Sequence, residues 1–444
     1  MATRGEFSSR LGFILAAAGS AVGLGNIWGF PSQVAQNGGA AFVLVYLFLA
    51  FLLAYPVLMA ELVIGRATRS NVVDALERVS GSVFGKAVGI WGAVTASLIL
   101  SFYAIVAGWM IAFAVEALLN LFLDSEELTW LTEFSTPRNW LFCTIFLVFT
   151  GLIVTGGVKQ GIEKWSVRLM PTLVLLIVAL IIYVSFQEGA ADGWRAYLVP
   201  DFTLITDPEV LISAMGQAFF SMSLGVGTML VYGSYIAKKE HLPSLGASVA
   251  LVDIGVAVIA GMLIIPAMYV AQLAGVTIFA DDGSLISGGD LIFQVLPGLF
   301  NSIGIIGIVL ALVFFVLMSI AAVTSSISML EVPVSYLVEN RKLPRTRAVW
   351  LLTLLILVCS SLIIFNFDAL FGNVIAFTTE YSQPLLGLLM CFFVGWVWHR
   401  DKVLEEVKSG FAGAEHSVFW KIWPWYVKFI CPLIIAVMFY RSVM

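Results

Sequence analysis

The residues of this chain that could do chemistry are oxygen donors and glycines set inside apolar runs. One stretch reads Gly19-Ser20-Ala21-Val22-Gly23-Leu24-Gly25-Asn26, with Pro31 following. Another reads Phe219-Phe220-Ser221-Met222-Ser223-Leu224-Gly225-Val226-Gly227. Each carries a Gly-x-Gly beside small hydroxyl or amide side chains. Glycine costs about 1 kcal/mol against alanine in a helix interior, so paired glycines make local unwinding cheap. Carbonyls freed at the end of one half-helix suit a hard cation, and amides freed at the start of the next suit a carboxylate. Downstream stand Asp253, an ionisable residue within an apolar run, and the hydroxyl triplet Thr324-Ser325-Ser326. An ionisable residue so placed is a functional candidate by default.

Reactive groups are not arranged for catalysis. No His, Cys or carboxylate group in the sequence has catalytic spacing, and no phosphate-cradling G-x-x-x-x-G-K-[ST] loop occurs. The chain therefore reads as neither an enzyme nor a self-contained ATP pump. Cys143, Cys359, Cys391 and Cys431 lie in apolar runs without metal-ligand spacing and read as inert buried thiols. No basic stripe suggests nucleic acid.

The elements that position these residues follow from composition. Of 444 residues, 60% are hydrophobic and 11% charged, against about 25% charged in a soluble domain. The apolar runs are continuous and of helix length, so the fold class is an all-α polytopic membrane bundle in lipid, not an alternating barrel. Eleven spans are predicted, near 11–36, 41–65, 87–122, 138–156, 161–186, 210–236, 243–273, 302–338, 346–366, 370–398 and 418–440. The third and eighth are long enough to require tilt or protrusion. Short connections make residues 1–444 a single membrane domain.

The two Gly-x-Gly stretches fall in the first and sixth spans. A lone Gly-x-Gly reads as a close-packing contact. Two at matching positions, each with polar neighbours, read as breaks in the helices. Unwound backbone facing lipid would leave unpaired groups costing on the order of several kcal/mol, so such breaks belong where they line a protein cavity. Matching breaks in two halves of a chain point to an inverted-repeat transporter with a midplane site.

Basic residues set the orientation. They recur after the even-numbered spans: Arg66, Arg69, Arg78 and Lys86; Lys159, Lys164 and Arg168; Lys238 and Lys239; Arg341, Lys342, Arg345 and Arg347; Arg400, Lys402 and Lys408. The opposite loops are acidic, with Asp124, Glu126, Glu127, Asp201, Asp207 and Asp281 among them. The N-terminus is thus expected in the cytoplasm and the C-terminus outside. Trp420, Trp423 and Trp425 are expected to anchor the last span in an interfacial belt. Arg4 and Arg10 ahead of Leu11 to Ala18 imitate a cleavable secretory signal.

The stretch from Arg10 to Gly39, RLGFILAAAGSAVGLGNIWGFPSQVAQNGG, resembles the first helix of the neurotransmitter:sodium symporters, themselves a standard example of inverted-repeat transporters. The resemblance continues through Glu61, Tyr103, Gln217 to Gly227 and Thr324-Ser325-Ser326, nearly to residue 400, and argues against the signal reading. Within the family it points to the bacterial transporters of leucine and other hydrophobic amino acids, hence to a bacterial plasma membrane. It implies two inverted five-helix repeats, about 11–186 and 210–398, with an extra helix at about 418–440. It also implies two sodium sites. The first would use the Ala21 carbonyl, Asn26, Ser221 and Asp253, completed by the substrate carboxylate. The second would use the Gly19, Val22 and Ala321 carbonyls with the Thr324 and Ser325 hydroxyls. Hard cations prefer such oxygen ligands. Where many relatives have asparagine, this chain has Asp253, and the position of a charged glutamate in some relatives is Ala257. Asp253 is therefore expected to carry the charge itself and make transport chloride-independent. The alternative is a protonated structural aspartate.

Gly23 stands where amine-transporting relatives place an aspartate, which implies an amino-acid substrate whose carboxylate meets Tyr103. The alternative for Tyr103 is interhelical packing. With Ala21, Gly25, Ser221 and Ser325 near the substrate's polar end, the side-chain pocket would be lined by Ile99, Val106, Phe220, Ser223, Val226 and Met329. No charged group lies among them, so a neutral hydrophobic substrate follows. Val226 replaces a bulkier residue and Met329 is flexible, so aromatic as well as aliphatic side chains are expected to fit.

The family's outer arginine–aspartate gate is replaced by Gly29 and Ile375, and closure is expected through Tyr103 and Phe220. Glu380 reads equally as a gate element or a surface residue. Arg4 and Glu339 match the inner ion pair, and Phe7 stands where tryptophan is usual. Gly161 and Pro171 match the pair that lets the fifth span unwind at its cytoplasmic end; an ordinary proline kink is the alternative. The reading is sodium-coupled symport by alternating access. A proton-coupled permease of the same fold and a non-transporting amino-acid sensor are the rivals. Preferred amino acid, sodium stoichiometry and oligomeric state stay open.

Overall fold

A computed structural model describes residues 6–122, 129–279 and 285–443. Arg4 lies outside the described residues, as do Asp124, Glu126, Glu127 and Asp281. Helices dominate, and among the described residues eight are long and apolar enough to cross a membrane: Ala40–Thr68, Val83–Leu119, Thr136–Thr155, Val158–Ser185, Leu242–Leu273, Ile305–Asn340, Arg345–Phe365 and Val418–Val437. Two bent pairs, Arg10–Ala21 with Gly25–Gln36 and Phe367–Val397 with Arg400–Lys408, raise the number to ten. The other expected span, 210–236, is divided into Pro208–Ser221 and Thr228–Gly233, each too short to qualify alone. Length and composition thus support ten of the eleven.

Local signals set the ends. Ser9 accepts the Gly12 amide at 2.9 Å to start the first helix, and Asp207 accepts from the Glu209 amide at 2.8 Å with Pro208 in the first turn of the sixth span. The third span, 37 residues, is about 55 Å long at 1.5 Å per residue. It packs most extensively against the eighth, Ile305–Asn340. The eighth also packs against both broken spans, through Arg10–Ala21 in the first and Thr228–Gly233 in the sixth.

The breaks occur at the glycines. In the first span the helix stops at Ala21, Val22 is extended with ψ 104°, and winding resumes at Gly25 after a 55° bend. In the sixth, the chain leaves the helix at Met222 and passes through left-handed backbone at Ser223, Gly225 and Gly227, with φ of 52°, 87° and 82°. Left-handed backbone favours glycine, which explains two of those three residues. The freed amides are not left bare. Glu61, fully buried in the second span, accepts the Gly225 amide at 2.6 Å and the Leu230 amide at 3.3 Å.

The expected inner end is tightly packed. Phe7 makes edge contacts with Phe13, Tyr232 and Tyr235, and its amide donates to the Tyr235 carbonyl at 3.2 Å. Ser8 donates through its amide at 2.8 Å and its hydroxyl at 2.5 Å to Glu163, which is buried in the wide turn 158–163 that contains Gly161. Helix 164–185 then runs unbroken through Pro171, so the fifth span is wound in this conformation. Arg66 and Glu406 form a buried pair at 2.6 Å, 0% and 8% exposed, tying the second span to helix Arg400–Lys408.

The aromatic belt is a correction. Trp425 is exposed, but Trp420 and Trp423 are buried, and the Trp423 indole donates to the Pro56 carbonyl at 3.0 Å. Two of the three rings pack the last span onto the bundle because their helix face points inward.

Candidate functional site

The two breaks, the seventh span and the eighth span meet around one centre. Asn26 Nδ2 donates to Asp253 Oδ1 at 2.7 Å, to the Asp253 carbonyl at 3.2 Å and to Ser221 Oγ at 3.3 Å. The Ser221 hydroxyl donates to Asp253 Oδ2 at 2.6 Å, and the Tyr46 hydroxyl lies 3.4 Å from Ser221 Oγ. All four side chains are buried. No basic side chain pairs with Asp253 among the described residues. A buried carboxylate with neutral neighbours only is a place for a cation.

A second cluster lies one helix turn away on the first span. The Ser325 hydroxyl reaches the Val22 carbonyl at 3.1 Å and the Gly19 carbonyl at 3.3 Å. The Thr324 hydroxyl reaches the Ala321 carbonyl at 3.0 Å. A methyl group added at Gly19 would stand 3.3 Å from Thr324 Cβ. Gly19, Val22, Ala321, Thr324 and Ser325 thus gather five neutral oxygens with no carboxylate.

Between the clusters is a cavity of about 40 Å³. Its polar side is made by Ala21, Gly23, Gly25, Tyr103, Ser221 and Ser325, and its apolar side by Ile99, Phe220, Val226 and Met329, with Ser223 beside them. The Leu24 amide donates to the Tyr103 hydroxyl at 3.4 Å. A Cβ on Gly23 would stand 2.5 Å from Ser325 Oγ and 2.8 Å from Tyr103 Oη. Glycine there keeps the space between two hydroxyls open.

A larger cavity, about 610 Å³, adjoins it on the side expected to face outward. Val106 lines this outer cavity and not the inner one. Gly29 and Ile375 face the same outer space, as does Glu380, which is exposed. Tyr103 and Phe220 line both cavities but make no ring contact with each other among the described residues. With the end around Phe7 packed, the central cavity opens only toward the opposite end among the described residues, through the larger cavity. Glu339 accepts from the Asn71 amide and Nδ2, both at 2.9 Å, and so holds the start of helix Val72–Ser80.

Sequence reasoning missed Tyr46, Leu24 and Gln383, and saw Glu61 only as part of a motif. Polarity inside an apolar run was the available signal for Tyr46 and Gln383.

A profile of the sodium:neurotransmitter symporter family matches residues 4–139 and 127–444. The chain belongs to the sodium:neurotransmitter symporter family. An uncharacterized sodium-dependent transporter of Haemophilus influenzae is 32% identical over 98% of this chain and 97% of its own length. Another, YhdH of Bacillus subtilis, is 31% identical over 98% and 96%. The crystal structure of MhsT in complex with L-phenylalanine superposes with a TM-score of 0.85 at 35% identity, covering 100% of both chains. The fold is thus that of this symporter family, and the protein is a multi-pass membrane transporter, not an enzyme.

Proposed function

We propose that this member of the family imports neutral hydrophobic L-amino acids, aliphatic and aromatic, by sodium-coupled symport without chloride. The observation that carries the reading is Asp253. Its carboxylate is fully buried, bonded to Asn26 and Ser221, and adjoins the glycine break that lines the cavity. One sodium ion is held by the Ala21 carbonyl, Asn26, Ser221 and Asp253, and touches the substrate carboxylate. The Asn26 amide turns over to offer its oxygen. A second ion is held by Gly19, Val22, Ala321, Thr324 and Ser325. Tyr103 and the backbone at Gly23 and Gly25 receive the substrate carboxylate. Ile99, Phe220, Ser223, Val226 and Met329 receive its side chain, and Val106, on the outer cavity, lies on the way in. That MhsT was solved with L-phenylalanine supports an aromatic substrate.

The cycle is alternating access. Substrate and sodium descend through the outer cavity, Tyr103 and Phe220 close over them, and the inner end opens. Opening requires Phe7 to leave its aromatic cage and the fifth span to unwind between Gly161 and Pro171. Each sodium charge carried through 100 mV contributes about 2.3 kcal/mol. The setting is a bacterial plasma membrane with a cytoplasmic N-terminus and an external C-terminus. The 444 residues form one transport domain of two repeats and an extra helix.

The test is amino-acid binding to purified protein in sodium chloride, sodium gluconate and potassium chloride. Leucine and phenylalanine bind in both sodium salts and not in potassium. Equal binding in potassium would replace this reading by a proton-coupled permease. Sodium-dependent binding without uptake into proteoliposomes would make the protein a sensor.

A further inference from the structure

Gln383 belongs to none of the ion or carboxylate contacts described above. It opens the helix Gln383–Phe392 in the tenth span, is 3% exposed, and lines both the inner cavity and the outer one. Tyr103 is the other polar side chain common to the two. Among the described residues the Gln383 Oε1 is buried without a hydrogen-bond partner. A buried amide oxygen with nothing to accept is costly, and native proteins rarely keep one without use.

Its place in the cavity is fixed by its neighbours. Ser382, the preceding residue, lies 3.0 Å from the Thr95 hydroxyl and takes the Trp91 indole N–H at 2.5 Å. Thr95 is eight residues before Tyr103 on the third span, about 12 Å along the helix. On the other side, the Gln383 carbonyl backs directly onto Gly225. Gln383 therefore sits beside Gly225 and shares the inner cavity with Ile99 and Val226.

We infer that Gln383 is a specificity-determining residue whose side-chain amide accepts a hydrogen bond from a donor carried on the substrate's own side chain. This rests on the proposed amino-acid symport and narrows its substrate class. On the side of the pocket lined by Ile99, Val226 and Met329, an aromatic ring bearing an N–H or O–H satisfies the amide, whereas a hydrocarbon ring leaves it bare. A site with a buried polar group discriminates most sharply against the analogue that cannot pair with it. Tryptophan and tyrosine are thus preferred over phenylalanine and leucine.

The experiment measures sodium-dependent binding of tryptophan, tyrosine, phenylalanine, 4-methylphenylalanine and leucine to the full chain and to its Gln383→Met variant, which keeps the side chain's length. In the unaltered chain tyrosine outbinds 4-methylphenylalanine, a ring of similar shape without a donor, by about tenfold. In Gln383→Met that advantage disappears, while leucine binding holds or improves. Equal affinities for tyrosine and 4-methylphenylalanine in the unaltered chain would overturn the inference without any variant. So would a loss in Gln383→Met shared evenly by all five ligands. If neither leucine nor phenylalanine binds in sodium to the unaltered chain, the proposed symport itself is what has failed.

Discussion

Ser221 and Asp253 are joined by a 2.6 Å hydrogen bond that ties the last helical residue before the break in the sixth span to the middle of the seventh. The bond puts a carboxyl group at the point where backbone leaves the helix. A cation bound there would touch both spans at once. Sodium would thereby act on the geometry of the break as well as on charge.

Asp253→Asn keeps the shape and removes the charge. The sodium concentration for half-maximal leucine binding is expected to rise at least about tenfold, a change of about 1.4 kcal/mol. A sodium titration checks it. An unchanged midpoint would return Asp253 to a protonated structural role.

Ser325→Ala removes a hydroxyl that bridges the Val22 and Gly19 carbonyls. The sodium dependence of leucine binding is expected to shift to higher concentration and to lose steepness, with a Hill coefficient falling toward one. A coefficient unaltered from the parent chain would argue against a second ion.

Gly23→Ala places a methyl group between Ser325 Oγ and Tyr103 Oη. The methyl group occupies space proposed for the substrate carboxylate, so amino-acid affinity should fall at least about tenfold, about 1.4 kcal/mol. Overpacking alone lowers stability by about 1–3 kcal/mol and shows in the melting temperature. Equilibrium binding alongside a thermal melt separates the two effects.

Glu406→Gln tests the inner face. It leaves Arg66, which is fully buried, without its carboxylate. Removing one partner of a buried ion pair costs about 3–5 kcal/mol. The purified variant should melt well below the parent, with leucine affinity at low temperature preserved.

The two breaks and Asp253 were legible from residue types, and the remaining site residues only through the family resemblance. The Gly-x-Gly pairs marked both breaks because few apolar helices tolerate two glycines beside hydroxyls. Asp253 stood out because charge is rare in such runs. What could not be read was rotation about a helix axis. Val106 lies one turn from Tyr103 yet faces the outer cavity, and Trp420 and Trp423 turn inward where Trp425 turns outward. Gln383 shares a run with Thr378, Thr379 and Glu380, and nothing in their order says which of them reaches the centre. Tyr46 is likewise a single hydroxyl whose partner, Ser221, lies 175 residues away. The break in the sixth span was legible, but not that Glu61 pins it, since glutamate in a membrane run says only that some partner exists.

That pinning has a thermodynamic consequence. With the Gly225 and Leu230 amides anchored on one buried carboxylate, the unwound turn is ordered before any ligand arrives. The conformational entropy of shaping the pocket is then lost once, when the chain folds, and not at each turnover. Preorganisation of this sort raises affinity without adding a contact. A small substrate, with few atoms to offer, gains most from it.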